Sequence, residues 1–171
     1  MGSMQEFIPD AKAFYELESD YYHETKDDLN RFRDAFVDKH RADLMKMWIL
    51  DIIISNSDRH GGNFLIRGDG LHAIDHGYTL RYNGDSFSKH INLKNGMWQF
   101  FNEELPPELV ENIKNFLERP GEQQVLEELL TELFGREYAL ACLKRIKVIG
   151  EILIKKGKIT GSEYDHFIPI Y

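Results

Sequence analysis

Apolar positions recur mostly at helical spacing along this chain, interrupted by one pair of short runs patterned like strands. Leu29, Phe32 and Phe36 fall at i, i+3 and i+7 within the highly charged stretch 19–36, which predicts a surface helix packed along one stripe. Residues 40–55 predict a more buried helix. There Leu44, Met47, Trp48 and Asp51 repeat at helical spacing, and Leu50, Ile52, Ile53 and Ile54 make the end apolar nearly all round. Asp51 in that run needs a partner, because an ionised carboxylate among apolar side chains is costly. Asn56-Ser57-Asp58 then breaks the helix, and Gly61-Gly62 turns the chain.

Phe64-Leu65-Ile66 and Leu71-His72-Ala73-Ile74 read as short strands, joined by the hairpin signal Gly68-Asp69-Gly70. Residues 78–97 have no period and read as a loop that could face a substrate, with Trp98, Phe100 and Phe101 anchoring its return to the core. Helices are predicted at 108–117, 122–134 and 136–156, with Pro107 near the first start and Gly135 as the cap of the second. In the second, Val125/Leu129/Leu133 and Leu126/Leu130 form adjacent rows. Residues 5–14 show no clean period. The expected class is mainly α, an α+β fold with a small β-hairpin on a helical body.

Composition adds limits. At 171 residues, with 42% hydrophobic and 12% aromatic, the chain can bury a core as one domain. Met1-Gly2-Ser3 reads as an expression scar, leaving residues 4–171 as that domain. The balance of 29 acidic against 21 basic residues, a net charge of -8, argues against nucleic-acid binding. Lys144, Arg145, Lys147, Lys155, Lys156 and Lys158 form the one basic concentration and read as a solvated face. Cys142 cannot pair within the chain and lies in an apolar pattern, so burial is its expected role. No targeting signal or transmembrane run is visible, and a reducing, cytoplasmic setting is expected.

The chemistry gathers in residues 56–80. Phosphoryl transfer needs a carboxylate to orient the acceptor hydroxyl, a second to hold a divalent ion, and a neutral oxygen to complete the ion's shell. Asp58 and Asn63 lie five residues apart on one tight loop, and Asp75 ends the second strand. Antiparallel pairing brings the ends of the hairpin together, so all three can serve one small volume. A lone aspartate or histidine is more often a cap or a locally satisfied group, and it is the combined pattern that favours function. A metal-dependent hydrolase using His60, His72, His76 and the aspartates is a weaker alternative, because these histidines lack a standard zinc spacing.

Asp58-Arg59-His60-Gly61-Gly62-Asn63, followed by Ile74-Asp75-His76-Gly77, resembles the phosphatidylinositol 3-/4-kinase family, with its D-R-H-x-x-N and I-D-F/H-G segments. The strong likeness covers about 35 residues, roughly 44–80. A weaker likeness to HipA-type serine/threonine kinases rests on N-x-D-R-H-x-x-N. The resemblance implies the C-terminal lobe of a protein-kinase-like fold and an ATP-dependent phosphotransferase acting on a lipid or protein hydroxyl. It implies Asp58 as the catalytic aspartate, with His60 assisting proton transfer or stabilising the transferring phosphate. It implies Asn63 and Asp75 as ligands of Mg²⁺ or Mn²⁺, and Phe64, Leu65 and Ile74 as apolar surface below the adenine or behind the metal residues. Arg59 would brace the loop through Asp51 or Asp75.

Such kinases clamp the phosphates with a strand lysine and a covering loop from an N-terminal lobe. Lys12, Lys26, Lys39 and Lys46 precede Asp58, and none fits a Val/Ala-x-Lys strand. The expected partner is therefore a missing or separately encoded N-lobe, and catalysis by the isolated chain is expected to be slow or absent. The alternative is a degenerate lobe acting as a binding module through the 78–97 loop or the basic last helix.

Overall fold

The computed structural model describes residues 8–56, 58–77, 79 and 100–163. Thr25 starts the longest helix. Its hydroxyl accepts from the Asp28 amide at 3.2 Å, and the Asp28 carboxylate accepts from the Thr25 amide at 3.3 Å, a reciprocal cap. From there α2 (Lys26–Ile54) runs 29 residues as two helical segments joined at a kink, with non-helical angles at His40 (φ -108°, ψ 17°), which agrees with the two helices expected. The kink falls where the surface stripe gives way to the buried one. That change of face makes the stretch look like two helices in sequence. Beyond the kink, Leu44, Met45, Met47, Trp48, Ile49 and Ile52 enter the main core.

β2 (Phe64–Arg67) and β3 (Gly70–Ala73) form the expected hairpin, with Phe64 opposite Ala73 and Arg67 opposite Gly70. The turn is Gly68-Asp69, and Gly68 adopts φ +58°, a conformation that favours glycine. A third strand, β1 (Lys12–Ala13), pairs antiparallel with β2 through Lys12–Ile66 and Ala13–Leu65. Two residues carry no readable period, so this strand is invisible in the sequence. It leads into α1 (Phe14–Ser19), where Phe14 packs on Phe36 and Phe64 with ring centroids 4.6 and 5.7 Å apart.

The helical body follows as predicted: α3 (Pro107–Leu117), α4 (Pro120–Phe134) and α5 (Arg136–Lys156). Pro107 and Pro120 each open a helix, where a missing N–H costs nothing. Gly150 lets α3 press against α5, since a β-carbon there would lie 2.4 Å from Leu117 Cδ1. Beyond α5, the carbonyls of Gly157 and Ile159 accept from the amides of Leu105 and Asn102, each at 2.9 Å. Phe100 and Phe101 pack on Trp48, as expected of the returning loop. Trp98 and all of 78–97 except Thr79 lie outside the described residues, as do 1–7. Cys142 is buried, and burial pushes its thiol pKa up. The result is a mostly α-helical molecule with a small three-stranded sheet. Among the described residues, no helix is long and apolar enough to cross a membrane.

Candidate active site

The site begins at the last turns of α2. Asp51, Asn56 and Arg59 are all fully buried and satisfy one another. Arg59 Nε and Nη2 donate to the Asp51 carboxylate at 3.0 and 2.8 Å, and Asn56 Nδ2 donates to it at 3.0 Å. Asn56 Oδ1 in turn accepts from the Asp58 amide at 3.0 Å, fixing where the loop leaves the helix. Of the two candidate partners for Arg59, Asp51 is the one used. The pair repays its desolvation because Arg59 is further hydrogen-bonded to backbone.

Arg59 also closes the hairpin onto the loop. Its Nη1 donates to the carbonyls of Asn63 and, at 2.9 Å, Ile74. Its Nη2 lies 3.3 Å from His76 Nδ1; arginine can only donate, so that nitrogen accepts. Burial, and then the charge of Arg59, hold the His76 pKa below its ordinary value. A neutral imidazole suits that position. Sequence reasoning gave His76 no task, and nothing local could have supplied one, because its partner lies 17 residues back.

The three oxygen-bearing residues of the motif meet around this brace. Asn63 Nδ2 donates to the Asp58 carbonyl at 2.7 Å, and the Asn63 carbonyl accepts from the Ile74 amide at 3.1 Å, one residue before Asp75. Asn63 is 5% exposed, yet its Oδ1 has no hydrogen-bond donor among the described residues. Buried polar atoms are rarely left so. The Asp58 carboxylate, half-buried, likewise has no partner among them. Asp75 is exposed and sits at φ 50°, an unusual backbone state for a non-glycine residue. Its Oδ1 accepts from the Gly77 amide at 3.3 Å.

The Asp75 carboxylate and the Asn63 amide oxygen are hard donors of the kind that suit Mg²⁺ or Mn²⁺. Among the described residues, no three His, Cys, Asp or Glu side chains are grouped to hold a metal ion. The histidines do not form the grouping a zinc hydrolase would need.

The hairpin faces sort the apolar candidates. Phe64 is fully buried against Phe14 and Phe36, so it belongs to the core rather than to a surface that a ligand touches. Ile66, Leu71 and Ala73 pack against the same core, whereas half-buried Leu65 and Ile74 do not. Alternation along the strands puts Leu65, His72 and Ile74 on the other face. His60 is exposed, and its Nδ1 accepts from the Gly62 amide at 3.0 Å. A contact that sequence reasoning missed comes from the N-terminal side, where the Tyr15 amide donates to the Gly61 carbonyl at 3.2 Å.

The family model for phosphatidylinositol 3- and 4-kinases matches residues 6–139, more than three quarters of the chain. The chain belongs to the phosphatidylinositol 3- and 4-kinase family. The match takes in the sheet, the braced loop and all of α2, α3 and α4, and ends early in α5. Among curated proteins of this family, phosphatidylinositol 4-kinase gamma 3 of Arabidopsis thaliana is 29% identical over 124 residues. That alignment covers 68% of this chain and 19% of the relative, so the chain spans about a fifth of that protein's length.

Proposed function

We infer that this chain carries the metal–nucleotide half of an ATP-dependent phosphotransferase site with a hydroxyl acceptor. The observation that carries the reading is the buried Oδ1 of Asn63, which has no donor among the described residues and is held between the backbone of Asp58 and the strand end that leads to Asp75. In this reading Asn63 and Asp75 hold Mg²⁺ or Mn²⁺. The bound ion neutralises charge on the nucleotide phosphates. Asp58, with its carboxylate unengaged among the described residues, orients the acceptor hydroxyl and takes its proton. Leu65 and Ile74 form the apolar surface beneath the adenine.

His60 takes the second of its two expected roles. Because Nδ1 accepts from Gly62, the proton of the neutral ring sits on Nε2, where it is a donor to phosphate oxygen and not a base. An inositol phospholipid is the acceptor favoured by the family and by the name of the Arabidopsis relative. A cytoplasmic setting keeps Cys142 reduced. A covering N-lobe, supplied by further sequence or by another chain, would clamp the phosphates for full turnover.

A second reading is a non-catalytic lobe that acts as a binding module. The two separate in a transfer assay using labelled ATP, Mg²⁺ and phosphatidylinositol vesicles. The phosphotransferase reading expects slow label release or lipid labelling, reduced at least about 100-fold by Asp58→Asn, with nucleotide affinity within a few-fold of wild type. Turnover unaltered by Asp58→Asn, or a wild-type chain that binds no nucleotide in the presence of Mg²⁺, contradicts it.

A further inference from the structure

α5 carries a buried charge that the motif residues do not touch. Arg145 belongs to the basic concentration expected as a solvated face, yet it is 4% exposed. Its Nε donates to the Ile53 carbonyl at 2.7 Å, from 92 residues along the chain. Burial lowers its pKa, but an arginine keeps its proton. A charge is therefore held inside, and no carboxylate pairs with it among the described residues. What offsets that cost is the carbonyl end of α2, which bears the negative end of the helix dipole. Arg145 lies beyond residue 139, where the family match ends.

Helix ends leave their last carbonyls without partners inside the helix. At the end of α2 the Asp51 carbonyl accepts from the Asn56 amide at 2.8 Å, and the Ile52 carbonyl from the Ser55 amide at 3.3 Å. Arg145 takes the next one, that of Ile53. The chain turns at Ser55, which sits at φ 54° and ψ 45°, left-handed geometry that favours glycine over serine. Such a strained turn persists where its surroundings over-determine it. One residue on is Asn56, whose Oδ1 accepts from the Asp58 amide. We propose that Arg145 is a positioning residue for the candidate site: by holding the Ile53 carbonyl it fixes the left-handed exit from α2 and, through Asn56, the placement of Asp58. The consequence for ligand binding rests on the phosphotransfer reading; the hold on the loop does not.

Amide hydrogen exchange of the full chain, read by NMR with melting curves alongside, tests it in Arg145→Met, which removes the charge and every donor. The expected result is a loss of protection at the Asn56 and Asp58 amides at least about tenfold greater than at Ile149, buried in the middle of α5. Arg145→Lys, which keeps the charge and a donor, should restore most of that protection. At a temperature where Arg145→Met stays folded, its affinity for ATP with Mg²⁺ should fall at least about tenfold. An equal loss at all three amides is what a merely structural role gives, and it overturns the proposal. So does wild-type protection at Asn56 and Asp58, or a loosened loop with unchanged affinity. Should Arg145→Met not fold, Arg145→Gln, which drops the charge but keeps a neutral donor, is read at the same amides by the same criteria. A wild type that binds no ATP with Mg²⁺ contradicts the phosphotransfer reading instead, and exchange at Asn56 and Asp58 then decides the role of Arg145.

Discussion

Arg59 joins three parts of the molecule through one guanidinium: the end of α2 by Asp51, the loop by the Asn63 carbonyl, and the hairpin by the Ile74 carbonyl. Neither Arg59 nor Asp51 reaches solvent, so removing one partner strands a buried charge. Asp51→Ala is therefore expected to lower unfolding free energy by about 3–5 kcal/mol, read from chemical denaturation, although no ligand touches Asp51. A loss under 1 kcal/mol would mean that the pair is not the brace described. The sequence made Asp58, Asn63 and Asp75 legible because their spacing is local and the hairpin register follows from alternation and a Gly-Asp turn. It named Asp51 as a candidate partner of Arg59 for a similar reason, a lone carboxylate in an apolar run. Asn56 and His76 stayed hidden because their roles are hydrogen bonds to groups that the fold alone brings near. Whether Phe64 lies below the adenine or behind the metal residues was left open. Which face of a short strand is buried depends on what packs beneath it, and Phe14 and Phe36 do so here.

At the scale of elements, the hairpin, α3, α4 and α5 were legible from periodicity, prolines at helix starts and glycine at helix ends. So was the division of α2 at His40, where its buried face changes, whereas β1 was too short to leave a pattern. The approach of α3 to α5 depends on Gly150. In Gly150→Ala the new methyl group would meet Leu117 Cδ1 at 2.4 Å and Ile113 Cγ2 at 2.9 Å, forcing these side chains from their places. The expected cost is about 1–3 kcal/mol, offset in part by alanine's better helix propensity. Thermal unfolding measures it, and an unchanged or raised midpoint would show that α3 and α5 separate freely.

Across the whole molecule, acid should weaken the fold through its histidines before its carboxylates. Burial, and then the charge of Lys39, hold His40 below its ordinary 6.5, so the folded state prefers the neutral ring. That contribution is complete above the unfolded value of 6.5 and is lost as pH falls through the lower folded value. His76 acts in the same direction. Asp28 and Asp69, lowered by hydrogen bonds from Thr25 and Lys39, add a further loss below 3.8. Denaturation midpoints should therefore fall between about pH 7 and 5, and His40→Gln should flatten part of that slope. An unaltered slope in that variant would remove His40 from the account.

The central claim is that the loop and hairpin hold a divalent ion and a nucleotide together. Calorimetry of the intact chain with ATP, in the presence and absence of Mg²⁺, tests it directly. The account predicts binding that requires the ion and weakens at least about tenfold in both Asn63→Ala and Asp75→Ala, while Arg59 and the core keep both variants folded. Binding of equal strength without the ion, or unchanged in Asp75→Ala, would contradict it.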